Sequence, residues 1–139
     1  MIVLDTNVIS ELLKTHPASS VLDWFDRQSS ASIFTTAVTE AEILYGLRML
    51  PEGRRRRELE AAILPIFSED LRGRVLPFDS DAANIYAKIA ADRRALGRPI
   101  SQFDAQIAAI AISRGASLAT RNVADFDLLT LEIINPFED

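Results

Sequence analysis

The sequence predicts an α/β fold, a mostly parallel sheet with helices on both faces. Two observations carry this. Short apolar runs of strand length lie beside turn or capping residues, and longer segments with apolar residues at helical spacing separate most of them. Strands that alternate with helices pack as a parallel sheet with its faces covered. Ile2-Val3-Leu4 is the first candidate strand. Residues 18–28 then place Val21, Leu22 and Phe25 on one helical stripe, and Ile33-Phe34 reads as a second strand. Residues 36–50 gather Ile43, Leu44, Leu47 and Leu50 on one face. Residues 55–70 offer Leu59, Ala62, Ile63 and Ile66, with Pro65 expected to kink or end the helix. Val75-Leu76 is a third strand. The helix over 80–96 is expected to bury Ala83, Tyr86, Ala87 and Ala90, with Gly97 as its C-cap. Ser101 caps an apolar helix over 102–114 that Gly115 closes, and Ser117-Leu118-Ala119 and Leu131–Ile134 complete the strands.

The chain has 139 residues, 15 basic and 20 acidic, for a formal charge of −5. That length reads as a single domain over 1–139 with a sizeable core, and no repeat, linker or low-complexity tract divides it. At 48% hydrophobic and 25% charged it has a globular composition, not a disordered one. Cysteine is absent, which excludes thiolate catalysis and cysteine-ligated metals, and His16 is the lone histidine. No secretory leader is evident and no stretch approaches the ~20 apolar residues of a membrane span, so a cytoplasmic location is expected. The acidic balance argues against nucleic-acid binding through overall charge.

The informative acids are those in apolar settings. Asp5 ends the first strand, at the sheet edge where open α/β folds place their sites. Asp104 shares a helix face with Ile100, Ile107, Ala108 and Ala111, where a carboxylate is costly unless paired or bound to a metal. Asp125 lies in a polar loop after a strand. Glu40 and Glu42 both lie in the apolar helix Ala37–Gly46, and periodicity does not choose between them. Each has a plain structural role available: Asp5 as a helix cap, Asp104 paired with Arg98 or Arg121, Asp125 as a turn residue, and a solvated glutamate. Taken as a set, the carboxylates would repel unless a cation compensates, and oxygen ligands without sulfur or imidazole select Mg²⁺ or Mn²⁺.

Ile2-Val-Leu-Asp-Thr-Asn7, Glu42-Ile-Leu-Tyr-Gly46, Asp104-Ala-Gln-Ile-Ala-Ala109 and Leu118-Ala-Thr-Arg-Asn-Val-Ala-Asp-Phe126 together resemble the ordered motifs of PIN-domain ribonucleases. Within that family the chain is similar to the VapC/FitB-type toxins of toxin–antitoxin operons, over essentially its whole length. The resemblance implies a three-layer α/β/α domain and selects Glu42, four residues before a glycine. It implies a catalytic set of Asp5, Glu42, Asp104 and Asp125, with Asp5, Asp104 and Asp125 holding Mg²⁺ or Mn²⁺. Some relatives carry aspartate where this chain has Asn122, and others pair that asparagine with an aspartate three residues on. Asp125 is therefore the expected fourth acid and Asn122 a secondary polar contact. Thr6 is expected to orient a carboxylate or water, or to serve only as a first-turn helix residue.

The expected reaction is metal-dependent hydrolysis of RNA phosphodiesters. Contact with RNA falls to local arginines: the run Arg54-Arg55-Arg56-Arg57, and Arg93, Arg94, Arg98 and Arg121 near the acidic segments. The run can equally be a solvated helix start. The resemblance also implies a homodimer, inhibited by a small antitoxin whose arginine reaches the acids. Trp24, Phe25, Leu50 and Phe67 are candidate contacts for which core burial is the stronger reading. Two alternatives stand beside this. One is a phosphatase or phosphotransferase with Asp5 as nucleophile, although Asn7 occupies the place of its usual second aspartate. The other is a binding module that keeps the fold without catalysis.

Overall fold

A computed structural model describes residues 1–138. Five strands, β1 (Ile2–Leu4), β2 (Ile33–Thr36), β3 (Val75–Leu76), β4 (Ser117–Ala119) and β5 (Ile133–Ile134), form one parallel sheet in the order β3-β2-β1-β4-β5. Between them run α1 (Thr6–Leu12), α2 (Ser19–Asp26), α3 (Ala37–Met49), α4 (Arg54–Pro65), α5 (Ser80–Ala95) and α6 (Gln102–Ser113). The strands are short, yet β1 is paired along both edges, with Ile2 opposite Ile33 on one side and Ser117 on the other.

Alternation along the strands divides the core in two. Val3 and Leu118 point to a layer built from α5 and α6, with Ala82, Ile89, Ile107, Ile110 and Phe126. Leu4, Ile33 and Ala119 point the other way, onto Val8, Ile9, Val21, Ile43, Leu47, Ile63 and Phe67 from α1 to α4 and the turn that follows. Ile107 and Ile110 are completely buried, each contributing about 1.5–3 kcal/mol by leaving water. Alanines at 105, 108, 109 and 111 fill the rest of the buried α6 surface, so the helix can lie close to its neighbours.

The expected elements appear with small changes of boundary. Pro65 is the last residue of α4, and a π-type turn (Ile66–Asp70) carries the chain onward, so the proline ends the α-helix rather than kinking it. Thr36, Asp79 and Ser101 cap α3, α5 and α6 by accepting from Thr39 N, Ala82 N and Asp104 N at 3.0, 3.0 and 3.1 Å. Gly97 and Gly115 follow α5 and α6 with φ of 70° and 64°, the left-handed conformation in which a helix can stop without a Cβ clash. Some expected faces differ: Leu22 on α2 and Ala62 on α4 are exposed, and of the residues expected on the buried face of α5 Tyr86 holds its place while two alanines do not. The buried face of α5 is Ala82, Ile85, Tyr86, Ile89 and Arg93, while Ala83 and Ala87 are exposed. Two isoleucines remove far more apolar surface from water than a stripe of alanines, so they decide which way the helix faces. Phe67 is buried, and Trp24, Phe25 and Leu50 pack against the same core, as the burial reading expected.

Candidate acidic active site

The strand order reverses between β1 and β4: from β1 the chain builds outward through β2 and β3, then crosses back to add β4 and β5 on the other edge. Ligand sites of open α/β sheets lie at such a switch, beyond the carboxyl ends of the strands. Asp5 follows β1 there and Thr120 follows β4.

Asp5 is only 3% exposed. It is the N-cap of α1, and its Oδ1 accepts from Thr6 N at 2.8 Å. Oδ2 accepts from the Thr120 hydroxyl at 2.7 Å and from Asn7 Nδ2 at 3.1 Å. The cap of α1 and the candidate site acid are thus the same carboxylate. Asn7 Oδ1 in turn accepts from Arg121 N at 3.0 Å, and Thr120 Oγ1 accepts from Asn122 N at 3.1 Å, so the start of α1 is laced to the loop after β4.

The other acids come from separate elements. Glu42, half-buried on α3, accepts from the Thr6 hydroxyl at 2.9 Å, and Thr6 Oγ1 lies 3.1 Å from the buried Thr39 Oγ1. Thr6, in the first turn of α1, is thus in hydrogen-bond contact with a carboxylate of the candidate set. Asp104 sits half-buried in the first turn of α6, above Ile107 and Ala108. Asp125 is exposed in the 3₁₀ turn Val123–Phe126, whose Phe126 is buried. Glu40, on the same helix as Glu42, makes no contact of this kind.

Electrostatics tie the four together. Burial pushes Asp5 above the usual aspartate range; hydrogen bonds from Thr120, Thr6 and Asn7 pull it back, and the charge of Asp125 adds to the rise. Glu42 is raised first by burial, against its bond from Thr6, and then by the charges of Asp5 and Asp104. Asp104 is raised by burial, against its bond to Ser101, and then by Asp5 and Asp125. Each of these three acids feels at least one other member of the set, the signature of like charges gathered at one place.

Among the described residues, no three of these acids close into a ready-made cage for an ion. The three-carboxylate cage expected from Asp5, Asp104 and Asp125 is thus not preformed. The donor set nonetheless suits a hard cation. It is all oxygen, partly buried and mutually repelling, and Mg²⁺ is commonly held by one or two carboxylates with water and substrate phosphate completing its shell.

The expected pairing of Asp104 with Arg98 or Arg121 is not present among the described ion pairs. Arg98 instead approaches Asp127 at 3.9 Å, and the Arg121 guanidinium lies 4.9 Å over the Phe137 ring. Arg93 does not belong with the surface arginines: it is 5% exposed, with its guanidinium turned inward. In the run on α4, Arg54 pairs with Glu58 and Arg56 with Glu60, each at 2.9 Å. Arg55 and Arg57 are exposed, and Arg55 lines a groove of about 570 Å³ with Thr6, Lys14 and Glu42, leading away from the acids. A second cavity of about 500 Å³ opens beside Asp104 and Asp125 and is walled by Arg93, Arg98 and Ser101. The residues that sequence reasoning passed over are Thr120 and Asn7. Both stand within the PIN-like motifs, and their further signal is position, a hydroxyl and an amide just beyond two strand ends that prove to be neighbours.

A family model described as PIN domain matches residues 2–128. The chain belongs to the PIN-domain family. The PIN-domain sequence is 45% identical over 142 residues to "VapC ribonuclease Y4jK" of Sinorhizobium fredii, covering 99% of each chain. It is 37% identical over 143 residues to "Toxin FitB" of Neisseria gonorrhoeae, covering the whole of both. In three dimensions this PIN domain matches a chain of the solved structure of FitAB bound to an IR36 DNA fragment, with a TM-score of 0.87, 36% identity, and coverage of 99% of this chain and 96% of that one. The α/β/α layering expected from sequence is the layering observed.

Proposed function

We propose that this protein is a metal-dependent endoribonuclease and the toxin of a toxin–antitoxin pair. The observation that carries the reading is the convergence of Asp5, Glu42 and Asp104 on one strand switch point with all three carboxyls raised, Asp125 adding its charge to two of them. The relationship to a VapC ribonuclease and to toxin FitB supplies the reaction class. The phosphatase and non-catalytic alternatives have no comparable support.

In this reading Asp5, Asp104 and Asp125 would hold Mg²⁺ or Mn²⁺, which would supply Lewis-acid polarisation of the scissile phosphate and a more acidic water. Asp5 is kept in place by Thr120, Asn7 and the Thr6 amide, which fix the orientation of its carboxylate. Glu42, turned by Thr6, accepts a proton from water or orients it. Asn122, whose backbone N–H donates to Thr120 Oγ1, is a secondary polar contact in the loop that leads to Asp125. RNA reaches the acids by way of exposed arginines, Arg55 and Arg57 first among them and Arg121 beside the loop, rather than through the net charge of −5. A small antitoxin that places a guanidinium among the acids would satisfy the same charges as the metal. The FitAB–DNA likeness suggests that such a complex also meets DNA. A homodimer and a cytoplasmic site of action complete the proposal. Among the described residues no helix is long and apolar enough to cross a membrane.

The test is RNA cleavage by the wild-type protein and Asp5→Asn, with Mg²⁺ and with EDTA, followed by mapping of the cut ends. Metal-dependent cuts are expected from the wild type alone, with both proteins giving the same circular dichroism. Unchanged cleavage by Asp5→Asn would overturn the assignment.

A further inference from the structure

Arg93 lies on α5 at 5% exposure, and among the described residues its charge has no carboxylate partner within ion-pair distance. Its donors go instead to three backbone carbonyls. Nε donates to Arg98 O at 2.7 Å, while Nη1 donates to Asp127 O at 3.0 Å and to Asp125 O at 3.3 Å. A cation removed from water is costly, and a set of three carbonyls is what makes the position tolerable. The two distant acceptors flank one short segment, the 3₁₀ turn of Asp125 and the residues after it.

That segment has a second peculiarity. Leu128 has φ of 69°, the one non-glycine residue in the left-handed region among those described, and it is well exposed. A strained backbone persists only where its surroundings over-determine it. Leu128 contributes little packing of its own, whereas the carbonyl immediately before it is held by Arg93. The same guanidinium also walls the cavity that contains Asp104 and Asp125. The third acceptor, Arg98 O, belongs to the connection that delivers Ser101 and Asp104 to the start of α6.

We infer that Arg93 is a positioning residue for the acidic site: its buried guanidinium clamps the strained turn that carries Asp125 and ties that turn to the connection leading to Asp104. Its bearing on metal binding rests on the ribonuclease reading; the clamp itself does not. Lysine keeps the charge at this position but offers a single point of donation, where the arginine fork spans carbonyls from two segments.

The full chain and its Arg93→Gln, Arg93→Lys, Asp125→Asn and Arg93→Gln/Asp125→Asn variants are compared by amide hydrogen exchange and by calorimetric titration with Mn²⁺. Faster exchange is expected over residues 123–129 in Arg93→Gln, with β1 and β4 still protected. Its Mn²⁺ affinity should fall about tenfold, as when the support of a metal ligand is removed. The double variant should bind no more weakly than Asp125→Asn alone, and Arg93→Lys should lie between wild type and Arg93→Gln. If Arg93→Gln does not fold, Arg93→Lys carries the same comparison. Unchanged exchange over 123–129 overturns the clamp, and losses of Mn²⁺ affinity that multiply in the double variant overturn its action through Asp125. If the wild type itself binds no Mn²⁺, the metal reading fails on that arm, and the exchange data still decide the clamp.

Discussion

Thr120→Val is close to isosteric and removes a single hydroxyl. That hydroxyl has no solvent exposure, donates to Asp5 Oδ2 at 2.7 Å, and accepts from Asn122 N at 3.1 Å and Asn7 Nδ2 at 3.2 Å. A bond to a charged group contributes about 1.5–3 kcal/mol and a neutral bond about 1 kcal/mol. Asn7 also donates to Asp5, and Asn122 lies at the surface, so both donors have other acceptors within reach. The carboxylate bond then dominates, and the expected loss is about 2–3 kcal/mol. For a chain of this length that corresponds to a fall in melting temperature of roughly 6–12 °C. Urea unfolding at neutral pH should show the lower midpoint at an unchanged slope. Thr120→Ser keeps the hydroxyl and should lose only about 1 kcal/mol for the missing methyl. Because the Thr120 bond favours the charged form of Asp5, the deficit of the valine variant should shrink as the pH is lowered. If valine proves as stable as serine here, the hydroxyl does not hold Asp5 and the account of the site's rigidity fails.

Asp5, Glu42 and Asp104 all titrate above their ordinary range, so the folded state binds their protons more tightly than the unfolded chain does. The stability they contribute is complete below the unfolded pKa and is lost as pH rises through the folded one. In EDTA the urea midpoint should therefore decline from these groups as the pH rises from about 4, and Asp104→Asn should flatten that decline. Parallel curves for the two proteins would remove the case for gathered charge. Glu11 acts in the opposite sense: its carboxyl is lowered by the Lys14 bond and the Ala18 amide, so its contribution is lost as pH falls through its folded value. On α4, Arg55→Ala and Arg57→Ala should each reduce the salt dependence of RNA binding by about one counterion in filter binding. Arg54→Ala and Arg56→Ala should do less, because Glu58 and Glu60 already occupy those guanidiniums; equal effects at all four would show that these pairs open freely.

Much of this architecture is legible in the chain because it depends on local pattern. Ile2-Val3-Leu4 and Ser117-Leu118-Ala119 are strands for reasons visible within a few residues, and Ser101 announces α6 by its hydroxyl. Asp5 and Asp104 stand out as carboxylates among apolar residues, whereas Glu42 and Asp125 are singled out only by the family resemblance. What stays hidden depends on neighbours distant in sequence. The buried face of α5 is set by which isoleucines meet α6, and local spacing cannot rank that against a row of alanines. Thr120 is an ordinary threonine until β4 is seen beside β1. Arg93 reads as one more cation in a basic stretch, because no sequence pattern marks a guanidinium that serves carbonyls more than thirty residues away.

The central place of β1 has a bearing on synthesis. Asp5 is made 115 residues before the threonine that holds it, and β1 gains its second neighbour only when residues 117–119 exist. A growing chain interrupted before that point presents β1 with one bare edge, a carboxylate without its main donor, and no Asp125. Such a fragment has an edge strand prone to pairing elsewhere and an incomplete site. The acids and the threonine that holds Asp5 can therefore stand together only after β4 and the turn that follows it have been made.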